Sequence, residues 1–147
     1  MAISVKLFGL TQEKVIEQLG ATVDLLAGTV IMSLHTSTWV PNIDTHDFFD
    51  DATNEISGAN GYAQQTLGGK TVTYDSASDQ VRFDCNDVTF SFSAGNTWRN
   101  GAVWINTAGA SSTDPLYGAL IWDSDQTVST TYTLTIDTAG LFFWDVT

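Results

Sequence analysis

Cations are scarce in this chain. Only five of its 147 residues are Lys or Arg, against seventeen Asp and Glu, and the formal net charge is −12. Phosphate backbones are held by clustered Lys and Arg. Lys6, Lys14, Lys70, Arg82 and Arg99 are scattered instead, so nucleic acid is not an expected partner. Cysteine is scarcer still. Cys85 stands alone among apolar neighbours in VRFDCNDVTF, which excludes an intrachain disulfide and makes a buried structural thiol the expected reading. No apolar run approaches the roughly 18 residues of a membrane span, and no basic stretch leads into an apolar one at the N-terminus. Neither a membrane anchor nor a signal peptide is therefore expected, and the chain is expected to be made and kept in solution.

What is present suits a packed globule. The residues are 43% hydrophobic and 12% aromatic, and only 15% are charged, a composition that can bury a core and does not favour disorder. At 147 residues a single domain spanning 1–147 is expected, one that buries roughly two thirds of its unfolded surface. The five Trp must divide between that core and any partner surface.

Hydrophobic periodicity changes once along the chain. In LTQEKVIEQL, Leu10, Val15, Ile16 and Leu19 share a helical face, with Thr11 a plausible N-cap and Gly20 a stop, which predicts one short helix over 10–19. A helix so short is marginal alone and needs the rest of the fold to pack against. From Thr29 the period becomes two. Strands are predicted at TVIMSLH, then Thr71 to Tyr74, Gln80 to Cys85, Val88 to Ser93, Ala102 to Asn106, Tyr117 to Trp122, Thr131 to Ile136 and Leu141 to Val146. The DSASDQ segment has hairpin composition, and Pro115 ends the loop before the Tyr117 strand. Eight short strands cannot bury themselves as one flat sheet, so two packed sheets or a closed barrel follows. The expected fold is mainly β: a two-sheet β-sandwich, with a jelly-roll-like arrangement one form of it, carrying one short N-terminal helix.

Several constellations could carry chemistry. Asp44, His46, Asp47, Asp50, Asp51 and Glu55 form the densest polar cluster, but they lack the alternating Asp and central Gly of a calcium loop. The plainer reading has Asp44 or Thr45 capping a short helix that Phe48 and Phe49 anchor to the core. Paired carboxylates could also serve glycoside hydrolysis, though so small a domain has little surface to spare for a deep groove. His35 and His46 are the only imidazoles, neither lies in a nucleophile motif, and His35 reads as an ordinary strand residue. Gly68 to Lys70 lacks the spacing of a phosphate loop. Trp39, Trp98, Trp104, Trp122 and Trp144 could form a sugar-stacking platform. Of these, Trp104 and Trp122 sit in alternating apolar runs and read as core, whereas Trp39 and Trp98 fall at strand ends or loops where exposure is expected. The C-terminal LFFWDVT is apolar on both alternating faces, which suits a strand covered on both sides, by its own sheet or by a neighbouring copy. No catalytic residue, cofactor or metal ligand is expected.

Five strings, in one order, carry a resemblance: THDFFDDATNEISGANGY (Thr45 to Tyr62), TVTYDSASDQVRFDCNDVTFS (Thr71 to Ser91), WRNGAVWINTAG (Trp98 to Gly109), STDPLYGALIWD (Ser112 to Asp123) and LTIDTAGLFFWD (Leu134 to Asp145). Together they cover most of the chain from Asp24 onward and resemble a family of small structural proteins of tailed bacteriophage virions. Members usually carry an aromatic residue in place of Asn100 or Gly101 and a Gly-rich link near Gly58, and the FFW near the C-terminus also departs from their pattern. The resemblance implies a non-enzymatic role in the virion. A capsid decoration or cement protein on the outer surface of the major capsid protein shell comes first, self-associating there as a homo-oligomer. A tail or baseplate component, or a carbohydrate-binding host-attachment module, are the alternatives. Like-charge repulsion from packaged DNA favours the outside of a shell for so acidic a chain. The candidate partner contacts are Trp39, Phe48, Phe49 and Trp98, chosen as large apolar groups in predicted loops.

Overall fold

A computed structural model describes residues 3–7 and 24–145, and the predicted helix over 10–19 lies outside them. The described residues are mainly β, and every pairing between strands is antiparallel. In chain order the strands are β1 (Ile3–Leu7), β2 (Thr29–His35), β3 (Gln65–Thr66), β4 (Thr71–Asp75), β5 (Gln80–Asp84), β6 (Val88–Ser91), β7 (Asn96–Asn106), β8 (Leu116–Val128), β9 (Thr131–Leu134) and β10 (Phe142–Asp145). They form a five-stranded sheet ordered β1-β8-β7-β2-β3, a three-stranded sheet ordered β10-β5-β4, and the pair β6-β9.

The alternation of side chains explains which face goes where. Val30, Met32 and Leu34 of β2 share the larger core with Val103 and Ile105 of β7 and Leu120 and Trp122 of β8. The smaller sheets supply Phe83, Val88, Phe90, Leu134 and Phe142 to that same core. The opposite face of the large sheet carries Ile31, Ala102, Trp104, Leu116 and Ala119, and these form a second core with Trp39, Ala52 and Phe49 from the long segment after β2. So β2 is buried on both sides, by sheets on one and by loop on the other, as its near-continuous apolar sequence requires. Solvent faces are closed by cross-strand Thr pairs, Thr89 with Thr133 at 3.1 Å and Thr97 with Thr127 at 2.8 Å.

Several sequence expectations need correction. The β7–β8 hairpin is far longer than the predicted Ala102–Asn106 and Tyr117–Trp122 segments, because Asp123–Val128 is a polar strand with Asp and Ser at turn-like spacing. β1 and β3 were not expected at all. The C-terminal strand is an edge strand, with Phe142 buried and Phe143 52% exposed, and does not lie at the centre of its sheet. The turn between Asp75 and Gln80 and the start of β8 just after Pro115 are as expected.

β7 and β8 fall out of register between Trp98↔Gln126 and Asn100↔Ile121, which leaves β8 with extra residues opposite Arg99. Arg99 fills the irregularity. Its Nε donates to the Trp122 carbonyl at 2.8 Å, one terminal nitrogen donates to the Asp123 carbonyl at 2.7 Å, and the other lies 3.4 Å from Asp125 Oδ1. Carbonyls that lost their ladder partners are thereby satisfied by one side chain.

Candidate interaction face

The segment that leaves β2 at His35 lies over the outer face of the large sheet and contains Trp39, Phe48, Phe49 and the acidic cluster, but not Trp98. It is fastened at three places, the third of which is Asn100, and Asp114 orders the neighbouring β7–β8 loop. Thr36 N–H donates to the Asn54 carbonyl at 3.0 Å and Ile56 N–H to that of Leu34 at 3.0 Å, extending the β2 edge. Phe49 N–H donates to the Asp114 carbonyl at 2.9 Å and Leu116 N–H to that of Asp47 at 2.9 Å, which clips the segment to the loop between β7 and β8. Buried Asn100 donates to the carbonyls of Trp39 at 2.6 Å and Thr36 at 3.2 Å. Buried Asp114 accepts from Thr107 N–H and Thr107 Oγ1, both at 2.8 Å.

Under this layer lies a chain of polar contacts that resembles a nucleophile and its base. Ser33 Oγ is 2.8 Å from His35 Nε2, and His35 Nδ1 is 2.9 Å from the Thr53 carbonyl. The carbonyl can only accept, so Nδ1 carries the proton and Nε2 accepts from Ser33. Both side chains are wholly buried, beneath Trp39 and Phe49, whose rings lie 4.6 and 6.3 Å from the imidazole. Burial lowers the His35 pKa to about 4, against the upward pull of its bond to Thr53. A neutral, sealed imidazole holds the loop.

The acidic cluster disperses into separate local duties. Asp51 turns back to accept from Asp47 N–H at 3.0 Å and Phe48 N–H at 3.4 Å, closing a short 3-10 turn over Phe49–Asp51. Capping of the preceding turn falls to Asn42, whose side chain accepts from Asp44 N–H at 3.0 Å, and not to Asp44 or Thr45. Glu55 accepts from Tyr62 at 2.7 Å and from Gln64 at 3.1 Å, while Tyr62 Oη accepts from Leu34 N–H at 2.9 Å. Burial first, then the Glu55 carboxylate, drive the Tyr62 pKa up. Among the described residues no group of three or more His, Cys, Asp and Glu is arranged to hold a metal ion.

The four candidate contacts separate. Trp98 is wholly buried in the larger core, against Phe92 and Tyr132, with ring centroids at 5.6 and 4.9 Å. Trp39 is 2% exposed on the other side of the sheet, so the exposure expected of these two indoles is not found. Phe49 stacks on Trp104 at 4.1 Å, and Phe48 and Phe49 are both half-buried anchors of the loop layer. Trp104 and Trp122 are core, as their alternating runs required. Cys85 is buried too, and burial together with Asp84 and Asp87 pushes its thiol up to about 11. What the layer shows to solvent is Val40, 74% exposed, and Ile43, 37% exposed, beside the loop's acids. Sequence reasoning passed over both because a single Val or Ile in a polar loop carries no signal.

No family model, curated protein or solved structure matches the chain.

Proposed function

We propose that this chain is a non-enzymatic structural protein of a tailed bacteriophage virion, foremost a decoration or cement protein bound to the outside of the major capsid protein shell. The observation that carries the reading is the fastened loop layer. The chemically capable groups in and beneath it, Ser33, His35, Asp51, Glu55 and Tyr62, are taken up by hydrogen bonds within the chain. Its apolar Val40 and Ile43 face outward on a segment that the core holds still. A surface pre-set in this way favours binding by shape, since little ordering entropy is lost on contact. Repetition over a shell, with neighbouring copies touching, multiplies a modest affinity into avidity. The contact set moves with the structure: Phe48 and Phe49 support it from below, and Val40 and Ile43 replace Trp39 and Trp98 at the surface.

The architecture that goes with this reading is a two-sheet sandwich, the five-stranded sheet against the smaller ones, with the jelly-roll order as its proposed form. A tail or baseplate position would use the same surface. The sugar-binding alternative has less support, because Trp39, Trp98, Trp104 and Trp122 are buried and only Trp144 is half-buried. Immunogold labelling of purified virions with antibody against this chain tests the proposal. Label over the head is expected. Label confined to the tail would move the protein there, and virions free of label would overturn the reading.

A further inference from the structure

A cleft of about 320 Å³ opens where the loop layer stops short of the edge of the large sheet. Its lining is apolar at Trp39, Val40, Pro41 and Ile121, basic at Lys6 and Arg99, and polar at Ser37 and Asn100. Two of the chain's five basic residues therefore meet at one small cleft of a molecule that carries seventeen acids. Such an island repels little of what its surroundings repel, because charges are screened beyond roughly 8 Å at physiological salt.

The donors on offer are specific. Arg99 has committed Nε and one terminal nitrogen to the carbonyls of Trp122 and Asp123, so the two-pronged fork that grips phosphate is taken. Its other terminal nitrogen has only the distant Asp125 carboxylate, at 3.4 Å and 51% exposed. Lys6 projects from the edge strand β1 with its side chain exposed. The indole of Trp39 lines the cleft, but its N–H is buried and out of a ligand's reach. One ammonium and one guanidinium nitrogen suit a single compact acceptor, and Val40, Pro41 and Ile121 suit an aliphatic group beside it.

We propose that this cleft is a carboxylate-binding site that takes an acidic side chain of a partner protein, presented next to an aliphatic residue. Asp125 is its internal competitor, already at the one guanidinium nitrogen left over. The site does not depend on the virion reading and stands or falls separately.

Titration of the full chain, labelled with nitrogen-15, by the capped dipeptide acetyl-Leu-Asp-amide tests it by NMR. Saturable shifts at Lys6, Trp39, Val40 and Ile121 are expected, with the isosteric acetyl-Leu-Asn-amide weaker by about tenfold, the change that 1.4 kcal/mol produces. Lys6→Gln should weaken the Asp peptide by about twofold to fivefold, the range of one exposed ion pair, and Asp125→Asn should strengthen it. Both substitutions are at exposed positions, so the fold is retained and near-ultraviolet circular dichroism verifies that. Equal binding of the Asp and Asn peptides, or no shift at these residues, overturns the proposal. Acetate that saturates the site as tightly as the peptide overturns the docking of a partner segment and leaves a small-anion site.

Discussion

His35 shows how strongly a single buried side chain can couple this fold to pH. Its ordinary pKa is near 6.5 and the folded value is about 4, so the unfolded chain binds the proton more readily between those limits. The contribution of neutral His35 is thus complete above about pH 6.5 and is lost as pH falls toward 4, by up to about 3 kcal/mol. Urea unfolding at pH 7 and pH 5 should show this loss, and His35→Gln should remove most of the difference. Tyr62 makes the second prediction. Tyr62→Phe leaves the buried Leu34 N–H without its acceptor and should cost about 1–3 kcal/mol, measured as a shift in the urea midpoint. The sequence showed that His35 would be a strand residue and that Trp104 and Trp122 would be core. It could not show that Trp98 would be, because Trp98 sits beside the register shift, where alternation breaks down.

At the level of elements, the long β7–β8 hairpin depends on Arg99. Arg99→Ala would leave the carbonyls of Trp122 and Asp123 unsatisfied, and a loss of about 1–3 kcal/mol is expected, with faster amide exchange confined to residues 122–126. Another dependence joins β8 to the C-terminal edge strand. Gly118 lies so close to the Phe142 ring that a Cβ there would clash with the ring carbons Cε1 and Cζ. Phe142→Ala should therefore cost about 3–5 kcal/mol, because Tyr117 and Phe83 lose the ring packed against them at 5.5 and 6.3 Å. Thermal unfolding would register it as a lower midpoint. Eight of the ten strands were legible as apolar runs between turn residues. β3 was too short to show a period, and the outer half of β8 was hidden by its Asp and Ser. Asn100 and Gly101 each have a local role here. Asn100 holds the loop from below, and a Cβ on Gly101 would already press on Met32 and Trp122 at 3.2 and 3.3 Å, so an aromatic ring has no room.

For the molecule as a whole, the net charge of −12 acts against the compact state through self-repulsion. Salt shortens the reach of that repulsion from about 30 Å at 0.01 M to about 8 Å at 0.15 M. The melting midpoint, read by differential scanning fluorimetry, should accordingly rise with added sodium chloride across that range, and a fall would refute the argument. The candidate face was legible only in outline: the sequence marked the segment from Trp39 to Tyr62, but which of its side chains point outward was decided by the sheet beneath it. Cys85 has one more consequence. It is the only thiol in the chain, it is sealed between β5 and β6, and its raised pKa leaves little reactive thiolate. The rate at which a thiol reagent consumes it therefore counts how often that seam opens. The same clock, read on the free chain and on the chain bound within a larger particle, reports whether assembly holds the seam shut, without any label placed on the surface where partners meet.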